Sequence, residues 1–185
     1  MGRGTEAGLL LKKGYTPPPD DRTPAAASCG APVHIVFVRP GARALYTQDR
    51  ADFLAPATAL SAGFDLRACL DAPEARIAPG ARLCVPTGLS VQPQQPGLAG
   101  FVYSRSGLGA RDGLAVAQGV GVIDPDYTGE ILVALLNTSG EERRLTRGER
   151  MAQLIFQPYV RPLWQEVPEL AATGRGAGGF GHTGR

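Results

Sequence analysis

Short apolar segments separated by turn residues form the dominant pattern of this chain from residue 33 onward. The segments are rich in β-branched residues, and several alternate apolar with polar positions, which predicts β-strands rather than helices. Pro56 limits any helix within residues 51–60 to a short turn. The predicted strands cover residues 33–38, 62–68, 82–91, 99–103, 114–123, 130–137 and 151–160.

This succession of short strands and turns is typical of an all-β sandwich or barrel. Composition agrees, since 25 Gly and 16 Pro accompany only 6% aromatic residues in a chain of 185 residues, which is one domain by size. We expect residues 1–32, which lack a sustained hydrophobic period, to be a disordered or loosely attached extension. Residues 33–174 then form the β domain, and the glycine-rich residues 175–185 form a mobile tail.

The charge balance excludes several classes of partner. With 19 basic and 17 acidic residues, the formal net charge is +2, which creates no strong field for nucleic acid or an anionic membrane. The longest purely apolar run, residues 131–136, is far shorter than a membrane span, and residues 9–11 are too short for a signal-peptide core. We therefore expect a cytoplasmic protein without a nucleic-acid or membrane partner.

The cysteines and histidines do not predict a zinc site. Cys29, Cys69 and Cys84 have no CxxC spacing, and the only histidines are His34 and His182. An odd number of cysteines is more typical of reduced thiols than of a disulfide framework, which agrees with a cytoplasmic location.

Residues 119–130 (GVGVIDPDYTGE) place two acidic residues around a proline in apolar surroundings. Asp124 suits the first position of a turn and Pro125 the second, which predicts the tip of a β-hairpin. Two strands would hold a carboxylate at such a tip accurately enough for catalysis. Asp124 and Asp126 are equally well explained as ordinary turn residues, so this segment alone leaves both interpretations open.

Residues 104–109 (SRSGLG) place Arg105 between two hydroxyls at the end of a strand, followed by two glycines. Accessible backbone N–H groups beside an arginine would suit a phosphate. The alternative is a helix cap formed by Ser106.

Two further segments also have two interpretations. In residues 62–68 (AGFDLRA), Asp65 and Arg67 share one face, which an exposed, ion-paired strand would explain. In residues 150–156 (RMAQLIF), Gln153 lies among apolar neighbours, where its amide needs partners from the protein or from a ligand.

The glycine-rich tail carries Arg175, Phe180 and Arg185. It could be a flap that orders over a ligand, with the aromatic ring stacking on a base and Arg175 reaching a phosphate. Plain disorder is the alternative.

Taken in order, these five segments resemble the five motifs of the trimeric dUTP diphosphatase (dUTPase) family, and the resemblance covers about residues 33–185. It implies an all-β jelly-roll or distorted barrel of antiparallel strands and a homotrimer with shared active sites at its interfaces. The implied reaction is hydrolysis of dUTP to dUMP and pyrophosphate with Mg²⁺, which limits uracil incorporation into DNA and supplies dUMP for thymidylate synthesis.

The resemblance also implies roles for individual residues. Asp124 would activate the attacking water, while Asp126 would remain a turn residue. Asp65 and Gln153 would contact Mg²⁺ indirectly through water, with the ion held mainly by the phosphates. The residues implied to bind substrate are Arg105, Ser106, Gly107, Gln118, Gly119, Val120, Gly121, Ile123, Tyr127, Gln153, Arg175, Phe180 and Gly181.

Two positions depart from the family pattern. Gln118 stands where bacterial relatives commonly carry an asparagine that contacts the base, so backbone groups would read more of the uracil edge. Ser104 replaces the proline usual before the Arg-Ser pair.

Two other functions compete with this one. A dCTP deaminase would share the fold, but it is expected to carry a glutamate on the strand after the Asp124 turn, and residues 131–137 contain none. A non-catalytic trimeric nucleotide-binding module with a regulatory role is the second alternative.

Overall fold

Antiparallel strands build the domain, as the sequence predicted. The computed structural model describes residues 30–49 and 54–179, and in these ranges it contains one short α-helix, α1 (Ala42–Thr47), and one π-helical turn (Gly107–Arg111). The strands are β1 (Val33–Phe37), β2 (Phe64–Arg67), β3 (Glu74–Ile77), β4 (Arg82–Pro86), β5 (Leu89–Pro93), β6 (Leu98–Ser104), β7 (Leu114–Val116), β8 (Val120–Ile123), β9 (Leu132–Asn137), β10 (Arg143–Thr146) and β11 (Arg150–Pro158).

The strands form four small sheets, and every pair within them is antiparallel. The largest has the order β2-β11-β6-β8, and a three-stranded sheet has the order β4-β9-β7. Two further pairs are β1-β5 and β10-β3. The all-β class is therefore confirmed. Most of the predicted extension, residues 1–29, lies outside the described residues, and the domain boundaries stay a prediction.

Two predicted strands are wrong as single strands, because a glycine with positive φ interrupts each. Gly88 (φ 73°) separates β4 from β5, and Gly119 (φ 81°) closes the turn between β7 and β8. A left-handed backbone turns the chain sharply at a low cost only for glycine. In both cases the chain leaves one sheet and enters another.

The apolar pattern missed three elements. Strands β3 and β10 pair with each other, and half of their eight residues are charged, including Arg144 and Glu74, which lie 3.3 Å apart. Helix α1 follows Gly41 (φ 73°) and buries Ala42 and Tyr46. The possible helical turn within residues 51–60 is not seen, since the described residues 54–60 form no helix and 51–53 lie outside the described part. Within the described ranges, no helix is long and apolar enough to cross a membrane.

The core lies between the inward faces of the sheets, and one amide is buried in it. Asn137, at the end of β9, is fully buried. Its Nδ2 donates to the carbonyl oxygens of Ile77 (2.8 Å) and Glu141 (2.7 Å), and its Oδ1 accepts from the backbone N–H (2.9 Å) and hydroxyl (2.7 Å) of Ser139. The side chain thus joins β3, β9 and the turn before β10. The largest fully buried apolar side chains are Leu66, Ile77, Leu89, Leu114, Ile131, Leu135, Leu145, Met151, Leu154, Val85 and Val133.

Asn137→Ala tests this buried network. Loss of the amide leaves buried polar groups unpaired, so we expect the free energy of unfolding to fall by about 1–3 kcal/mol. Urea denaturation at one fixed protein concentration measures it. Thr146→Ala, at an exposed position on β10, is the control and should change stability by no more than about 0.5 kcal/mol. Equal losses in the two variants would contradict the role of Asn137.

Candidate active site

A cavity of about 240 Å³ opens beside the turn that follows β8. Side chains and backbone from β6, β7, β8, β9 and the 124–130 connection line it. It brings five of the predicted site residues together, namely Gln118, Gly121, Ile123, Asp124 and Tyr127. The other lining residues are Val102, Val116, Val122, Glu130, Leu132 and Val133.

Asp124 begins the predicted turn, but this turn is not the tip of a hairpin. The N–H of Tyr127 donates to the carbonyl oxygen of Asp124 at 3.0 Å, which closes a four-residue turn. The hairpin prediction is wrong, because β8 pairs with β6 whereas β9 pairs with β4 and β7. The turn instead carries the chain from one sheet to another, and it holds the exposed Asp124 at the rim of the cavity.

Glu130 anchors the far end of this connection. Its carboxylate accepts hydrogen bonds from Nε of Arg39 (2.7 and 2.9 Å to the two oxygens) and from the N–H of Gly88 (2.7 Å). The hydroxyl of Tyr127 donates to the carbonyl oxygen of Glu130 at 2.9 Å. The hydrogen bond to Glu130 raises the pKa of Arg39, so the guanidinium remains charged. Sequence reasoning missed this anchor, although a glutamate directly after the Tyr-Thr-Gly sequence was a visible signal.

A second cluster surrounds Asp65 on β2. One carboxylate oxygen lies 2.9 Å from Nε of Arg105 and the other 3.2 Å from Nη1 of Arg150. Arg105 also donates to the carbonyl oxygen of Arg150 at 2.9 Å, and Gln153 of β11 lies opposite Asp65 in the sheet register. Two guanidinium groups share one carboxylate, so these three side chains carry a net positive charge and suit an anion.

The pair formed by Asp65 Oδ1 and Arg105 Nε has unused hydrogen-bonding capacity. The two atoms lie at ion-pair distance, but their orientation is unfavourable, and neither has a hydrogen-bond partner among the described residues. Both atoms are buried, and buried polar groups are normally paired in folded proteins. Because both atoms are shielded from solvent, the attraction of this cluster for an anion comes from the net positive charge of its two guanidinium groups.

Arg67 has a structural role and does not lie on an exposed face of its strand. The residue is only 8% exposed, its guanidinium pairs with Asp49, and it donates to the carbonyl oxygen of Gly148 at 2.8 Å. Its backbone N–H donates to the hydroxyl of Tyr46, whose pKa is raised by burial. The prediction of an exposed strand with ion pairing across its face is thus wrong, because Asp65 and Arg67 have different partners.

The segment after Arg105 presents an exposed hydroxyl. Ser106 precedes the π-helical turn, and no capping hydrogen bond from its side chain is found in the described part of the chain, so the capping interpretation is wrong. An ideal Cβ at Gly107 would meet no described atom within 4 Å, so its backbone is accessible. The hydroxyl of Ser104, which replaces the family proline, accepts a hydrogen bond from the N–H of Val116 at 2.8 Å and ties β6 to β7.

The remaining predicted residues lie outside the cavity or outside the described residues. Gly119, which precedes β8, and Val120, the first residue of β8, are both exposed. Arg175 is also exposed, and it donates to the carbonyl oxygen of Gly178 at 2.9 Å. Phe180 and Gly181 lie outside the described residues. As far as the described residues go, the cavity lining includes neither the Asp65 cluster nor Arg175.

Comparison with known proteins identifies the family. A sequence model of the dUTPase family matches residues 49–184. A deoxyuridine 5'-triphosphate nucleotidohydrolase of Psychrobacter cryohalolentis is 48% identical over 141 residues, which cover 75% of this chain and 91% of the relative. Another from Citrobacter koseri is 46% identical over 129 residues, covering 70% and 84%.

Solved structures of dUTPases have a similar fold. The dUTPase of Staphylococcus bacteriophage 80alpha, solved as a mutant with dUpNHpp, has a TM-score of 0.69 at 20% identity and covers 83% of this chain and 99% of its own. The dUTPase of Streptococcus mutans has a TM-score of 0.57 at 27% identity, covering 71% and 98%. A mutant dUTPase from phage phi11 of S. aureus, described with a structural Mg(II) ion, has a TM-score of 0.61 at 18% identity, covering 76% and 99%. Because the family model matches most of the chain and these two relatives are 46–48% identical to it, the chain belongs to the dUTPase family.

Proposed function

We propose that this protein hydrolyses dUTP to dUMP and pyrophosphate. The observation that carries the proposal is the position of Asp124, an exposed carboxylate at the rim of a cavity that Gln118 and Tyr127 also line. The family match and the names of the relatives support the substrate. The proposed site joins this cavity with the positively charged Asp65 cluster.

The cavity suits a nucleoside. Its volume of about 240 Å³ lies below the range of roughly 300–1,000 Å³ that holds a drug-sized ligand, so it fits a base and a sugar with the phosphates outside. Backbone groups around Gly121 and Ile123, together with the Gln118 side chain, would pair with the uracil edge. A base with a mismatched edge would leave such groups unpaired and would bind weakly. The ring of Tyr127 would pack beneath the deoxyribose and leave no room for a 2'-hydroxyl.

Asp124 would act as the general base. Its carboxylate is open to solvent at the cavity rim, where it can orient a water in line with the α-phosphorus. The water oxygen forms a bond to this phosphorus as its proton passes to Asp124. The bond from the α-phosphorus to the bridging oxygen breaks, and pyrophosphate leaves with the electron pair.

Arg105 and the hydroxyl of Ser106 would hold the phosphates. The shared carboxylate of Asp65 leaves the two arginines with a net positive charge, which supports this role. Gly107 offers an open backbone, and Arg175, Phe180 and Gly181 of the tail would close over the nucleotide, with the Phe180 ring on uracil. A closed flap would exclude bulk water from the triphosphate.

The residues present are compatible with a Mg²⁺ ion that would be held mainly by the triphosphate. Among the described residues, no group of three or more His, Cys, Asp or Glu side chains could hold a metal ion. Asp65 and Gln153, which lie opposite each other in the sheet, would contact the ion through water. When bound, Mg²⁺ would neutralise phosphate charge.

A homotrimer would complete the site. After β11, the exposed chain carries large apolar side chains, with Leu163 99% and Trp164 91% exposed. Exposed apolar surface of this kind marks a protein interface. The described residues of one chain do not unite the Asp65 cluster with the Asp124 cavity, which supports sites that draw motifs from more than one subunit.

We assign the activity to the cytoplasm. The described cysteines, Cys69 and Cys84, are both free, which agrees with a reducing compartment. There, removal of dUTP would limit uracil incorporation into DNA and would supply dUMP.

Deamination of dCTP is the weaker alternative. Strand β9 carries no glutamate, and the preceding Glu130 has its carboxylate bound by Arg39 and Gly88. The Glu130 carboxylate is therefore already bound within the protein and is not available to contact a base. A purely regulatory, nucleotide-binding trimer remains the non-catalytic alternative, and the variants below distinguish it from an enzyme.

Asp124→Asn tests the proposed base. The amide cannot accept the proton, so we expect kcat for dUTP to fall by about 10²–10⁴-fold, while the affinity for the non-hydrolysable analogue dUpNHpp stays near the parental value. Pyrophosphate release and calorimetric titration measure the two effects. Asp126→Asn is the matched control and should retain parental turnover. Parental turnover by the Asp124 variant, or equal losses in both, would contradict the assignment.

Deletion of residues 175–185 tests the flap. The tail contributes nothing to the described core, so the Tm should stay unchanged while dUTP turnover almost disappears. A chain lacking residues 1–29 serves as the control and should remain active. Unfolding of the chain without its tail, or undiminished turnover, would count against a flap.

Tyr127→Ala tests sugar selection. Removal of the ring opens space beside the 2' position, so the ratio of kcat/KM for UTP to that for dUTP should rise by at least about tenfold. Tyr127→Phe, which keeps the ring, should retain most of the discrimination. An unchanged ratio in the alanine variant would remove Tyr127 from sugar selection.

A further inference from the structure

The ring of Tyr127 lies directly against the backbone of Gly129. A Cβ atom added to Gly129 would lie 2.5 Å from the Tyr127 hydroxyl oxygen, 2.6 Å from Cζ and 2.9 Å from Cε2. Non-bonded carbon atoms make their best contacts at about 3.5–4.0 Å, so none of these three distances is tolerable. With any other residue at position 129, the tyrosine ring must move.

We infer that Gly129 is a positioning residue for sugar selection, because its lack of a side chain lets the Tyr127 ring fold back to form the wall of the cavity. This inference rests on the proposed function and adds a residue to it. Gly129 itself does not contact the cavity in the described residues; Tyr127 does.

Three hydrogen bonds define the position that Gly129 makes available. The Tyr127 N–H donates to the carbonyl oxygen of Asp124 (3.0 Å), and the Tyr127 hydroxyl donates to the carbonyl oxygen of Glu130 (2.9 Å). The N–H of Gly88 in turn donates to the Glu130 carboxylate at 2.7 Å. The main chain of Tyr127 is therefore fixed by the turn, and a single hydrogen bond from the hydroxyl holds the ring over Gly129.

The conformation of Gly129 itself does not require glycine. It is not among the described glycines that have a positive φ, so an alanine can adopt its backbone. The obstacle is only the tyrosine side chain, which is 44% exposed and free to swing outward. An added methyl group should therefore move the ring and break its hydrogen bond to Glu130, while the fold is retained.

Gly129→Ala tests the inference through selectivity. We expect the ratio of kcat/KM for UTP to that for dUTP to rise by about tenfold, mainly through a higher kcat/KM for UTP, while the Tm stays within a few degrees of the parent. Gly140→Ala is the matched control: it lies on a distant turn, its φ is not positive, and no described atom lies within 4 Å of an added Cβ. This control should keep both the Tm and the ratio.

A double-mutant cycle connects the effect to the ring. In a Tyr127→Ala background, the methyl group of Gly129→Ala has nothing to displace, so the double variant should show the same ratio as Tyr127→Ala alone. A further rise in the double variant would overturn the inference. If Gly129→Ala alone unfolds and the double variant folds, the contact with the ring is supported; if both unfold, the inference is wrong.

The outcomes separate this inference from the function on which it rests. Parental dUTP turnover tests the proposed function. A parent that turns over dUTP, with a Gly129→Ala variant that keeps the parental ratio, would overturn the role of Gly129 only. A parent that does not hydrolyse dUTP would overturn the proposed function, and the inference with it.

Discussion

The carboxylate of Glu130 fixes the connection on which the candidate site depends. It accepts hydrogen bonds from the guanidinium of Arg39, which follows β1, and from the backbone N–H of Gly88, which separates β4 from β5. Charge-assisted hydrogen bonds of this kind are stronger than neutral ones, and only 18% of the Glu130 side chain is exposed. The connection it anchors has no strand partner of its own, yet it carries Asp124 and Tyr127. The connection between the two sheets is thereby fixed, so it can hold the carboxylate of Asp124 in place.

Charge is distributed differently in the two ion-pair clusters around β2. Arg67 is buried and fully engaged with Asp49, Gly148 and the hydroxyl of Tyr46, so it stabilises the fold. Asp65, two residues earlier on the same face of the strand, is shared by two arginines. An excess of positive charge, with a buried donor and acceptor left without hydrogen bonds, is unfavourable unless an anion or a water completes it. The net positive charge of this cluster supports the proposed contact with phosphate.

The sequence predicted the β class and most strands because apolar residues alternate along them. It could not place the breaks at Gly88 and Gly119, since an apolar run continues through both positions and only the backbone reverses. Strands β3 and β10 were missed because each has only four residues, of which two are charged, so neither forms an apolar segment long enough to stand out. The motifs predicted Asp124, Tyr127 and Arg105 as site residues, and Asp124 and Tyr127 line the same cavity. The anchor at Glu130 depends on Arg39, 91 residues away, and no local pattern reveals such a partner.

The most direct test of the account is one assay of pyrophosphate release by the full chain with dUTP, dCTP, dTTP and UTP, each with Mg²⁺. We expect rapid release from dUTP and little from the other three, because the proposed site would discriminate at both the uracil edge and the 2' position of the sugar. Conversion of dCTP to dUTP without pyrophosphate would indicate a deaminase instead. Binding of dUTP without turnover would indicate a regulatory module, and either result would contradict the central claim.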